Sequence, residues 1–125
     1  MQYLHDTHRE MLDLVDAHEH QTAQDAPNIL ELTRLRLEMM KVHRRRLAQF
    51  DRIALAGDRL PTGTRGHIER FRQEDVEITA LVSQHVREWP TDRIVREWND
   101  YRAAAVHNYA WHRDRVAREE DAFGF

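Results

Sequence analysis

The sequence predicts an all-α fold, an up-down-up-down antiparallel four-helix bundle formed as one domain by residues 1–125. Three observations lead there. Apolar side chains recur every three or four residues along four long stretches, the spacing of an amphipathic helix. The breaks between those stretches are short, and each holds one of the three prolines, Pro27, Pro61 and Pro90. No stretch alternates apolar and polar residues over the length of a strand. Long helices joined by short connections run antiparallel to their predecessors, which gives a bundle.

The first helix is expected from about Gln2 to Gln24, with Leu4, Met11, Leu12 and Val15 on its apolar side. Asp25-Ala26-Pro27-Asn28 ends it, and either Asp25 or Asn28 is placed to cap the next helix through its side-chain oxygen. The second helix continues to about Ala56 along Leu32, Met39, Met40, Leu47, Phe50 and Ala54. Gly57 to Gly66 holds three of the four glycines and reads as a loop. The third helix, about Thr64 to Trp89, carries Ile68, Phe71, Ile78, Val82 and Trp89. Pro90-Thr91-Asp92 reads as a stop and a fresh N-cap. The fourth, about Arg93 to Ala122, carries Ile94, Trp98, Tyr101, Ala105, Tyr109 and Val116, with Phe123 just beyond.

Composition narrows the function. With 41% apolar and 33% charged residues, 125 residues suffice to bury a real core. A net charge of −3 lacks the basic surplus of a nucleic-acid binder, and His43-Arg44-Arg45-Arg46 reads as solvated helix surface. The absence of cysteine removes disulfides, thiolate metal sites, Fe–S clusters and cysteine nucleophiles. No apolar run approaches a membrane span, and the N-terminus shows no signal-like apolar segment, so the expectation is a cytoplasmic protein with neither nucleic-acid nor membrane partners. Nine histidines are many for this length, and histidine is the commonest metal ligand.

Four polar side chains interrupt the apolar stripes, one per helix: His8, His43, Asp75 and His112. Burying such groups unpaired is costly, so four together suggest a shared interior site. Counting 100° per residue places all four on the inward faces. At ~1.5 Å rise per residue, His8, His43 and Asp75 fall roughly 9, 11 and 8 Å up the bundle, whereas His112 falls near the bottom. His107 matches the level better but points away from the stripe.

Neutral imidazoles with one carboxylate suit iron or another divalent first-row metal, and two His with one carboxylate leave open positions for a small ligand such as dioxygen. His5, one turn before His8, is a candidate further ligand or hydrogen-bonding partner. A buried cluster in which Asp75 pairs with a protonated His8 or His43 fits the same pattern without a metal.

Several segments carry a family likeness. Leu4-His5-Asp6-Thr7-His8-Arg9-Glu10-Met11-Leu12, Met40-Lys41-Val42-His43, Arg72-Gln73-Glu74-Asp75-Val76-Glu77-Ile78 and Arg115-Val116-Ala117-Arg118-Glu119-Glu120-Asp121-Ala122-Phe123 resemble the four helices of the hemerythrin-like, HHE cation-binding family. The resemblance implies a four-helix bundle holding a non-haem iron pair, with His8 and His43 at ligand positions. Asp75 stands where that family has histidine, and Arg115 replaces the histidine of its closing His-x-x-x-Glu-Glu. Leu47 replaces its bridging glutamate. Neither Leu47 nor the permanently charged Arg115 can ligate, so the expectation is one metal at most. Either His8, His43, Asp75 and His112 hold that single ion with Glu119 nearby, or the site is dead and Arg115 supplies the positive charge by pairing with Glu119.

Other chemistries find less support. A ferritin-like oxidase needs Glu-x-x-His pairs, which are absent, and neither a nucleophile motif nor a Gly-rich phosphate loop occurs. A haem protein needs room that the bulky stripes do not offer. The alternative is a metal-free, non-enzymatic interaction module or homodimer, its cue a thin second apolar face of Ala103, Ala104, Ala110 and Trp111.

Overall fold

The computed structural model describes residues 2–124, with the side chains of 2, 3 and 58 outside that description. Among the described residues there are five α-helices and no strand: α1 (Gln2–Thr22), α2 (Ile29–Ala54), α3 (Thr62–Glu88), α4 (Thr91–Arg96) and α5 (Trp98–Phe123). A 3-10 turn, Gly57–Arg59, bridges α2 and α3, and Gly57 opens it at φ 50°, a left-handed conformation that favours glycine. Asn28 caps α2, its Oδ1 accepting from the Glu31 N–H at 3.2 Å.

Two elements differ from the sequence expectation. The segment 57–66 is not all loop, because α3 starts at Thr62 and takes Gly63 and Gly66 into its first turns. The expected fourth helix is split. Glu97 leaves helical geometry (φ −123°, ψ 47°) between α4 and α5, and α4 is preceded by Pro90 rather than capped by Asp92, which sits in its first turn. No glycine or proline marks Glu97, so the cause is tertiary. Trp98 packs with Leu32, Trp89, Ile94 and Tyr101, and its indole N–H donates to the Gln24 carbonyl at 3.0 Å. Arg102 donates to the Thr22 carbonyl at 2.6 Å, so the start of α5 is pinned to the end of α1.

α1 packs against α2 and α5, and α3 closes the ring by packing against the same two helices. Three apolar clusters fill the interior. Leu4, Phe50, Ile68 and Phe71 close one end. Met11, Val15, Val42, Ala105 and Tyr109 fill the middle, and the Trp98 cluster closes the other end. Burying a large side chain of this kind contributes about 1.5–3 kcal/mol, so the three clusters carry the fold. The polar site lies between the first cluster and the second. No described helix is long and apolar enough to cross a membrane.

Candidate functional site

Helical spacing brings six polar side chains to this level: Thr7 and His8 from α1, Arg46 from α2, Asp75 from α3, and Arg115 with Glu119, one turn apart, from α5. All six are at most 7% exposed. Glu119, fully buried, is the hub. Its carboxylate accepts from the His8 Nε2–H at 2.9 Å, from Arg115 Nε at 2.6 Å, and from Arg46 Nη2 through both oxygens. Arg115 also donates to Asp75 Oδ1 at 2.8 Å, and Arg46 donates to Thr7 Oγ1 at 3.3 Å. On the outer side, Glu74 lies 3.4 Å from Arg115 and accepts from Arg118 at 2.6 and 2.8 Å.

Arg46, Arg115 and Arg118 face Glu119, Asp75 and Glu74, and Arg118 also pairs with Asp114 at 2.8 Å on the outside. Burial opposes the Glu119 carboxylate, but the His8 hydrogen bond and the charges of Arg46 and Arg115 outweigh it and hold its pKa below the ordinary value. Asp75 goes the other way: burial raises its pKa, with the Glu119 charge adding to that, and Arg115 offsets only part. Phe71 and Phe50 present ring faces to the Arg115 guanidinium, 4.5 and 5.4 Å from its Cζ.

Of the four side chains singled out from the sequence, His8 and Asp75 are buried and belong to this network, joined through Glu119 and Arg115. His43 and His112 are only half-buried. With Asp75, Arg46 and Arg115 they line an adjoining cavity of about 20 Å³. The split of the last helix explains the level of His112. Counting from Trp98 instead of Arg93 lifts it by about 7.5 Å at ~1.5 Å per residue, to the level of the others. His43 donates from Nε2 to Thr79 Oγ1 at 3.0 Å, since that hydroxyl already donates to the Asp75 carbonyl at 2.7 Å. Burial, then Arg46 and Arg115, lowers the His43 pKa. Burial, with neighbouring His43 and the two arginines, lowers that of His112 to about 4. Among the described residues no three His, Asp or Glu side chains group so as to hold a metal ion.

Arg46 overturns its sequence reading as solvated surface: it is 7% exposed and ion-paired to Glu119. It lies three residues after His43 and four before Phe50, on the stripe itself, so helical spacing could have found it. His18 also escaped notice, although it follows Val15 by three residues. It is 6% exposed and engages both ring nitrogens, with Met39 Sδ at 3.5 Å and Tyr101 Oη at 2.9 Å. A thioether accepts only, so Nδ1–H donates to Met39 and Nε2 accepts from the Tyr101 hydroxyl, which is the neutral imidazole. Burial, helped by Arg36 and His85, lowers its pKa to about 4. Trp111, expected on a second apolar face, is half-buried and edge-on to His112 with ring centroids 5.1 Å apart. No protein-family model, curated protein or solved structure matches the chain.

Proposed function

We propose that this chain is a metal-free, non-enzymatic binding module. It is a degenerate hemerythrin-like bundle in which a salt-bridge network stands where relatives would hold iron. The observation that carries the reading is the placement of two buried guanidiniums, Arg46 and Arg115, on the single carboxylate Glu119 between His8 and Asp75. A divalent cation there would face two fixed positive charges at low dielectric. His8 Nε2 is already held by Glu119, and one oxygen of Asp75 by Arg115. The residues present therefore do not fit an iron-type ion at His8, His43, Asp75 and His112.

The up-down-up-down arrangement is part of the same proposal. Partner numbers fall on one helix as they rise on the next: Thr7, Glu10 and His18 meet Gln49, Arg45 and Met39. Asp51, His43 and Arg36 meet Arg72, Thr79 and Trp89, and Glu74 and His85 meet Arg118 and Tyr101. Those pairings support antiparallel neighbours, with α4 an added corner before the last long helix. Elemental analysis of untagged protein tests the function: we expect no stoichiometric transition metal. About one iron or zinc per chain, lost in Asp75→Asn, would restore the single-metal reading.

A further inference from the structure

We propose that the cavity on the far side of His43 and His112 from the ion network is a binding site for a small monocarboxylate, held by Arg36 with the Asn108 amide and the imidazoles of His85 and His112. The cavity is about 70 Å³ and is walled by α1, α2, α3 and α5. That is room for about five water-sized groups, the size of a short-chain acid.

Its charge is one-sided. Among the described residues no Asp or Glu lines it, and Arg36 is the only permanent charge in its wall. Most other buried or half-buried arginines meet a carboxylate, Arg46 and Arg115 at Glu119, Arg93 at Glu97 at 2.7 Å and Arg118 at Glu74, whereas Arg102, away from this cavity, donates to the Thr22 carbonyl and Asn99 Oδ1. Arg36 makes one hydrogen bond among the described residues, from Nη1 to the Trp89 carbonyl at the C-terminus of α3, 3.1 Å. A guanidinium has five N–H donors, so most of its capacity is left for a ligand. A carboxylate is the ligand that takes two of them side by side.

The other polar walls fit the same chemistry. His18 is committed to Met39 and Tyr101, and His43 to Thr79, so neither turns toward a guest. His85, stacked on Tyr101 with centroids 6.2 Å apart, and Asn108 line the cavity and bring an imidazole and an amide to its wall. Burial and Arg36 keep His18 and His85 below their ordinary pKa, so both favour the neutral imidazole near pH 7 when the cavity holds no anion. Met39, Met40, Val82 and Val86 form an apolar wall for the alkyl end of the acid.

The inference uses Arg36 and not the ion network, so it stands apart from the metal-free reading. The test uses full-length protein treated with chelator, titrated with sodium propionate and with propionamide of the same shape at matched ionic strength. Binding is followed by calorimetry and by histidine ring NMR signals. We expect one saturable propionate site per chain, shifts at His85 and His112, and at least tenfold weaker propionamide binding. Arg36→Gln should weaken propionate at least tenfold, and Val82→Phe, which fills the cavity with Arg36 intact, should abolish it. If Arg36 serves only to cap α3, propionamide binds as well as propionate, or Arg36→Gln binds like the parent. Either result, or no shift at about 0.1 M propionate, overturns the proposal; should Arg36→Gln not fold, Val82→Phe and the amide decide it.

Discussion

Replacing Glu119 by Gln isolates the energetics of the network. The substitution keeps shape and removes one charge from a side chain that is 0% exposed. Arg115 retains Asp75 and Glu74 as counter-ions, but Arg46 loses its carboxylate and keeps, among the described residues, neutral acceptors alone, the Thr7 hydroxyl and the amide oxygen of the new side chain. Breaking a buried pair by deleting one partner costs about 3–5 kcal/mol, because the remaining charge is left uncompensated. A domain of this size is stable by about 5–15 kcal/mol, so the loss takes a large share. In melting temperature it amounts to a fall on the order of 10–20 °C. Urea and thermal unfolding followed by circular dichroism at pH 7 read it directly. Glu119→Gln combined with Arg46→Met should recover part of the loss, since the orphaned charge is gone. A loss below about 1 kcal/mol, or a double variant that is simply the sum of the two singles, would refute the reasoning.

Three further outcomes follow from the same geometry. The pKa of His18 is lowered from 6.5 to about 4 when folded, so its contribution is present above pH 6.5 and is lost as pH falls through about 4, up to roughly 3 kcal/mol. His43, His85 and His112 act in the same direction, Asp75 against it, so urea unfolding from pH 8 to 4 should show falling stability that flattens in His18→Phe; a level profile in the parent contradicts this. Tyr101→Phe removes the donor to His18 Nε2 inside the core and should cost about 1–3 kcal/mol, with the His18 ring signals titrating at higher pH; an unchanged titration would count against the assigned tautomer. Asn28→Ala should cost about 1 kcal/mol through the lost cap of α2, measured by urea unfolding, and no change would mean that the cap is dispensable.

The helices were legible in the sequence because apolar spacing reports which side of a helix is buried. Asn28 was legible as one of two caps. The break at Glu97 was not, since Ile94, Trp98 and Tyr101 continue the stripe across it and only the docking of Trp98 on Gln24 creates the corner. Of the site, His8 and Asp75 were found as polar residues in apolar stripes, and Arg115 with Glu119 through the family likeness. Arg46 was hidden by its neighbours Arg44 and Arg45, which are exposed and make the run look like surface. That omission mattered most, because a second buried cation turns a ligand cluster into an ion-pair network. His85 and Arg36 face a cavity that only three-dimensional packing creates, and no spacing rule marks them.

The most direct test of the central claim is the melting temperature of untagged, chelator-treated protein with and without added ferrous or zinc ion. A ligand at 100 times its Kd stabilises the folded state by about 2.7 kcal/mol, a shift of several degrees. No shift is expected, since Arg46 and Arg115 already supply the positive charge that Glu119 and Asp75 require. A rise of several degrees in the parent that disappears in Asp75→Asn and His8→Ala would contradict it.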